Sequence, residues 1–192
     1  MKRIIFAGAH GTGKSTLAEA YKEKFGAYIN EGYARIVGKW KEEYLNDLLH
    51  FDPDSASYKI QQLISNLTLE RFKADYEREK SQTYIATRSP LDCLCYSYIY
   101  GYANTNKVKE YYNELKKLDY SDCMFVYIPI EFPLEEDGIR PHGEEAQRIY
   151  DNQIKKILNE FDIKYNSVSG SIENRMEQLR QIVKLNGCEK CN

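Results

Sequence analysis

Nine consecutive residues, Gly8-Ala9-His10-Gly11-Thr12-Gly13-Lys14-Ser15-Thr16, carry the spacing G-x-x-x-x-G-K-[ST]. That spacing suits one kind of chemistry, the cradling of a polyphosphate. Glycines at 8, 11 and 13 let the backbone approach an anion with successive N–H groups pointing inward, above the positive end of a following helix. Lys14 would neutralise the outer phosphates of a nucleoside triphosphate, and Ser15 would offer its hydroxyl to a Mg2+ ion bridging two of them. The bland alternative is a glycine-rich turn with Lys14 in water. The flanks argue against it: residues 3 to 7 read as a buried strand, and Lys14 to Phe25 place Leu17, Ala18, Tyr21 and Phe25 on one helical face.

Transfer of a phosphoryl group needs more than a cradle. It needs positive charge for the transition state and a group that orients or deprotonates an acceptor. Glu31 follows the apolar run Ala27-Tyr28-Ile29-Asn30 and stands where it could take the acceptor's proton, or hold magnesium through water. Arg35 lies in the first turn of the segment after it. Arg88 follows a third apolar run and has the fork geometry for a phosphate. Asp92 is either a magnesium ligand or an acid favoured by the first turn of its helix. Arg140 and Arg148 flank the junction between a polar segment and the next helix, where both could close over phosphates.

Five short apolar runs, at 3–7, 27–30, 82–86, 123–128 and 163–168, alternate with helical patterns at 14–25, 33–49, 57–80, 90–100, 108–118, 144–161 and from Gly170 onward. Ile60, Leu63, Ile64 and Leu67 mark one face of the long third helix, and Ala146, Ile149, Tyr150, Ile154, Ile157, Leu158 and Phe161 mark a face of the sixth. The alternation predicts an α/β three-layer sandwich: a five-stranded parallel sheet with helices on both faces, in one domain over residues 1–192. A lid is expected at about 131–147, around Asp137-Gly138-Ile139-Arg140-Pro141-His142, and a flexible tail at 187–192.

With 27 basic and 29 acidic residues the net charge of -2 makes no global demand for nucleic acid or an anionic membrane. No apolar stretch approaches membrane-spanning length, and the short run after Lys2-Arg3 is too brief for an export signal, so a cytoplasmic protein is expected. The five cysteines suit a reducing compartment. Cys188-x-x-Cys191 is half of a zinc knuckle with no second pair, and one of Cys93 and Cys95 is expected in the core.

Gly8 to Thr16, Glu31 with Arg35, Thr87-Arg88-Ser89 and Asp137-Gly138-Ile139-Arg140-Pro141 together resemble the P-loop kinases of nicotinamide riboside kinase and deoxynucleoside kinase type, including related phage and bacterial proteins. The resemblance implies a P-loop NTPase fold, ATP as donor, Glu31 as base, Arg88 as the arginine of an Asp/Glu-Arg-Ser motif and Arg140 as a lid arginine. Thr87 departs from that motif, which carries an acid there, so Asp92 or Glu31 would have to complete magnesium binding.

The leading expectation is therefore transfer of the γ-phosphoryl of ATP to a nucleoside, nucleotide or related small metabolite. A second is the same chemistry on a nucleotide within DNA or RNA, against which the balanced charge argues. A third is an ATPase or regulatory protein that binds ATP without transferring phosphate. A GTPase switch or motor is disfavoured, because Asn-Lys-x-Asp and an apolar strand ending in Asp-Glu are both missing from the sequence.

Overall fold

Every position of Arg3–Ala7 is buried, as a strand covered on both faces must be. The computed structural model describes residues 3–33, 53–76, 83–133 and 143–185. Over these, five strands run β1 Arg3–Ala7, β2 Ala27–Asn30, β3 Thr83–Ala86, β4 Cys123–Tyr127 and β5 Tyr165–Ser167. Six helices alternate with them: α1 Lys14–Phe25, α2 Pro53–Tyr76, α3 Pro90–Ile99, α4 Asn106–Lys116, α5 Glu144–Glu160 and α6 Ile172–Leu185. The sheet is parallel throughout, in the order β2-β3-β1-β4-β5. The expected three-layer architecture is thus the observed one.

Alternation along the strands splits the core in two. Ile5, Ala7 and Phe125 face a cluster built from α2, α3, α4 and α5, including Phe72, Leu94, Leu115, Tyr150 and Ile154. Ile4, Phe6 and Val126 face the other way, onto Leu17 and Tyr21 of α1 and Leu179 and Val183 of α6. Because β1 lies at the centre, the loop that leaves its carboxyl end is flanked by the ends of β3 and β4. That is the position where ligands meet an open α/β sheet.

The stripe expected in α5 is buried at Tyr150, Ile154, Ile157 and Leu158, but α2 and one edge of α5 also bury polar residues that apolar periodicity does not mark. In α2 the buried positions are Gln61, Ser65, Thr68, Leu69, Phe72 and Asp75, whereas Leu63 is exposed. Polar groups can take that face because each finds a partner: Gln61 Nε2 donates to the Cys93 carbonyl at 2.9 Å, and the Ser65 and Thr68 hydroxyls donate one turn back to the carbonyls of Gln61 and Ile64. In α5, Ile149 is exposed and Gln147 and Asp151 are buried. Asp151 accepts from Tyr127 at 2.6 Å and from Lys155 at 2.7 Å.

Both Cys93 and Cys95 are buried, not one of the two, and burial pushes the Cys93 thiol up to about 11. Cys188 and Cys191, the helix expected at 33–49 apart from Tyr33, and residues 134–142 of the expected lid lie outside the described residues. No described helix is long and apolar enough to cross a membrane.

Gly8 is the tightest point of the turn from β1. Its φ is +129°, and a methyl added there would stand 2.4 Å from the backbone oxygen of Ile128. Gly26, which ends α1 with φ +67°, has nothing within 4 Å of that position. Gly26→Ala is therefore expected to cost about 1 kcal/mol of stability, the conformational term alone. Gly8→Ala should cost more than the roughly 1–3 kcal/mol that backbone strain brings, because β4 must also move aside. Urea denaturation of the two variants checks the order.

Candidate active site

The turn from β1 into α1 winds through three glycines with positive φ, +129° at Gly8, +72° at Gly11 and +87° at Gly13. Gly13 is the N-cap of α1 and has no side chain to satisfy the helix's first amides. Those amides are left for an anion. Lys14 opens the helix and is buried. Its Nζ donates to the Gly8 carbonyl at 2.8 Å, to the Ala9 carbonyl and to Thr12 Oγ1 at 3.2 Å. Ser15 is half-buried in the same turn and Thr16 is exposed.

Arg88 leaves the end of β3 and crosses to this loop. Nη1 donates to Asp92 Oδ1 at 2.9 Å, to the Tyr150 hydroxyl at 3.3 Å and to the Gly8 carbonyl at 3.5 Å. Burial disfavours the charged guanidinium, but Tyr96, Tyr150 and Asp92 outweigh it and hold the pKa above the ordinary value. Arg88 also lines a cleft together with Glu31, Gly32, Tyr33 and Arg71. The Arg71 Nη2 donates to the Tyr28 hydroxyl at 2.7 Å, and its guanidinium lies 5.5 Å from the centre of the Tyr33 ring. Gly32 packs so closely that a methyl on it would meet Arg88 Cγ at 2.6 Å.

Asp92 is 2% exposed and both of its oxygens are engaged. Oδ1 accepts from Arg88 and, at 2.6 Å, from Tyr150; Oδ2 accepts the Ser89 amide and hydroxyl, each at 2.8 Å. The pair Ser89 and Asp92 is a reciprocal cap on α3, with Pro90 at its first position. Thr87 is buried and ties neighbouring strand ends: its amide donates to the Asn30 carbonyl at 3.1 Å and its hydroxyl to the same oxygen at 3.4 Å.

The structure thus brings Lys14, Arg88 and Asp92 together at the loop, with Glu31 exposed and lining the same cleft as Arg88. Arg148 stands apart, its side chain 69% exposed on α5 and paired with Glu144 at 2.9 Å. Arg35 and Arg140 lie outside the described residues. Among the described residues no group of three His, Cys, Asp or Glu side chains is placed to hold a metal ion. The Ser15 hydroxyl, in the first turn of α1, is a hard oxygen of the type a magnesium ion takes.

Two buried residues at the loop have no counterpart among the residues singled out from the sequence. Gln147 Nε2 donates to the His10 carbonyl at 2.7 Å. Arg175 Nη1 donates to the Thr12 carbonyl at 2.6 Å, and Nη2 meets Glu131 Oε2 at 2.5 Å. Glu131 also accepts the Gly170 amide at 2.9 Å. Burial pulls the Glu131 pKa upward, but that amide and Arg175 outweigh it and hold the carboxyl below its ordinary range. The signal available in the sequence is a spacing: Arg175, Leu179 and Val183 fall on one buried face of α6.

A glycine-wound loop between a central parallel strand and a helix, with an arginine from the neighbouring strand reaching into it, defines a P-loop kinase-like fold. The chain belongs to the family described as an AAA domain, whose profile matches residues 3–175. No curated protein matches the sequence. Among solved structures, deoxyadenosine kinase from M. mycoides with bound dATP is similar over 97% of this chain and 100% of its own, with 16% identity and a TM-score of 0.66. NadR protein in complex with NAD and AMP-PNP is similar over 97% of this chain and 49% of its own, with 12% identity and a TM-score of 0.68. Thymidylate kinase from Candida albicans follows with 19% identity, 96% and 92% coverage and a TM-score of 0.56. At these identities the likeness is one of fold.

Two consequences are measurable without a substrate. Asp92→Ala strips a buried guanidinium of its counter-charge and should lower stability by about 3–5 kcal/mol, against about 1 kcal/mol for Tyr150→Phe, read by denaturant titration. Since the Glu131 pKa is depressed in the folded state, its stabilising contribution is complete above the ordinary value of 4.5 and fades as pH falls through the depressed one. Glu131→Gln should be less stable at neutral pH, and the gap should close on acidification.

Proposed function

We propose that the protein is an ATP-dependent phosphotransferase that moves the γ-phosphoryl group to a nucleoside, nucleotide or related small metabolite. The observation that carries this reading is the cleft itself. Glu31 and Arg88 line one cleft, and Arg88 also reaches the Gly8 carbonyl of the phosphate loop, the neighbourhood that a transfer site between donor and acceptor requires. A protein that only bound or hydrolysed ATP would have no use for it.

In this reading Gly8 to Thr16 cradle the phosphates through backbone amides and Lys14 turns from the loop carbonyls to the β- and γ-phosphates. Mg2+ held through Ser15 would supply charge neutralisation across those phosphates. The acceptor lies in the cleft beside Arg88, and Arg35 is proposed to bind it. Its hydroxyl oxygen forms the new bond to the γ-phosphorus as the bond to the bridging oxygen breaks, ADP leaves, and the hydroxyl proton passes to the Glu31 carboxylate. Arg88 compensates the charge that spreads over the transferring group, and Arg140 is proposed to join it, whereas Arg148 is engaged with Glu144 on the exposed side of α5. Asp92 acts on Arg88 and not on the metal, because its oxygens already serve Arg88, Tyr150 and Ser89. The cytoplasm, where ATP and such acceptors meet, is the compartment that fits.

Labelled ATP offered with nucleosides, nucleotides, nicotinamide riboside and DNA tests this directly. One class of small acceptor should become labelled. Lys14→Ala should reduce transfer by at least about 100-fold, and Glu31→Gln by about 100- to 10,000-fold. Labelling of DNA alone would move the acceptor site to a polynucleotide. ATP hydrolysis indifferent to every acceptor would overturn the kinase reading, and full activity in Glu31→Gln would remove Glu31 as base.

A further inference from the structure

A concave row of amide N–H groups can exist only if the carbonyls of the same peptides point outward. In a trans peptide the carbonyl of one residue and the N–H of the next are antiparallel, and no cis bond occurs among the described residues. An outward His10 carbonyl therefore turns the Gly11 N–H inward, and an outward Thr12 carbonyl does the same for the Gly13 N–H. These two peptides are soft, because each is followed by a glycine at positive φ, with no Cβ to oppose a flip.

Both are also gripped by buried side chains from the last two helices of the sheet's flanks. The His10 carbonyl accepts from Gln147 of α5, which is 1% exposed, and the Thr12 carbonyl accepts from Arg175 of α6, which is 3% exposed. The Ala9 carbonyl accepts from Thr12 and Lys14, and the Gly8 carbonyl from Lys14 and Arg88. Arg175 is in turn fixed by Glu131, and Glu131 by the Gly170 amide.

We propose that Gln147 and Arg175 are positioning residues that keep the phosphate loop in its anion-accepting form by holding the His10 and Thr12 carbonyls outward. The inference rests on the reading of residues 8–16 as a polyphosphate site and does not need the acceptor chemistry. A flipped peptide at 10–11 or 12–13 would replace an inward N–H with a carbonyl oxygen, turning attraction for a phosphate into repulsion. Neither side chain touches the nucleotide in this scheme. Their effect is on the affinity of the loop for any polyphosphate, whatever base it carries.

Calorimetric binding of ATP and of inorganic tripolyphosphate to the full chain tests it, alongside thermal melting of each variant. Gln147→Met and Arg175→Met are expected to weaken both ligands about 10- to 100-fold, the range for one lost hydrogen bond to a charged group. Arg175→Lys, which keeps a donor, should recover part of the loss. Gln147→Glu, isosteric but unable to donate when ionised, serves if Gln147→Met does not fold. Leu179→Ala, on the same face of α6 as Arg175, supplies a destabilised control that leaves the loop carbonyls alone and should keep wild-type affinity. Folded loop variants that bind both ligands within about twofold of wild type, or a Leu179→Ala that weakens them equally, would overturn the proposal and leave Gln147 and Arg175 as packing groups. A wild-type chain that binds neither ATP nor tripolyphosphate would overturn the polyphosphate reading itself.

Discussion

A guanidinium placed against the centre of a parallel sheet must be given a counter-charge, and the contact between Arg88 and Asp92 answers that demand. It joins more than two residues. Asp92 caps α3 through Ser89, accepts from Tyr150 on α5, and fixes the Arg88 amino group that reaches the Gly8 carbonyl. One carboxylate thus sets the start of a helix, the approach of a second helix and the edge of the phosphate loop. Asp92 is worth more here for geometry than for net energy, since a buried pair roughly balances desolvation against attraction while loss of one partner does not.

The elements were most legible where chemistry or burial constrains residue type tightly. Gly8 to Thr16 announce their conformation because glycine alone tolerates those φ values, and the β1 and β4 runs read as central strands because both faces are covered. α2 and α5 were misread in detail for a common reason. Apolar periodicity finds the face that hydrophobicity would choose, yet Gln61, Ser65, Gln147 and Asp151 are buried through hydrogen bonds whose partners lie on other elements or one turn away. Gln147 and Arg175 were illegible as loop contacts because their acceptors lie 137 and 163 residues away and are backbone carbonyls. Nothing in the type of residue at 10 or 12 advertises such a need.

Thr87 stands where the kinases that this chain resembles carry an acid, and the structure gives it a different occupation. By bonding twice to the Asn30 carbonyl it fastens the end of β3 to the end of β2, the two ends that bear Arg88 and Glu31. A carboxylate could not donate to that oxygen. The same stitch continues through Asn30, whose side chain donates to Asp75 at 3.0 Å and to Tyr84 at 2.6 Å. The separation of the two residues that line the cleft is therefore set by a buried polar seam between strands and helix, a more rigid frame than either loop alone.

The contacts of Lys14 bear on selectivity as well as on support. An ammonium already seated on the Gly8 and Ala9 carbonyls and on Thr12 is an occupant built into the chain. Any incoming anion competes with those oxygens for it. In the polyphosphate reading proposed above, a ligand must therefore offer this ammonium acceptors at least as good as the three it already holds, and binding exchanges one set of oxygens for another.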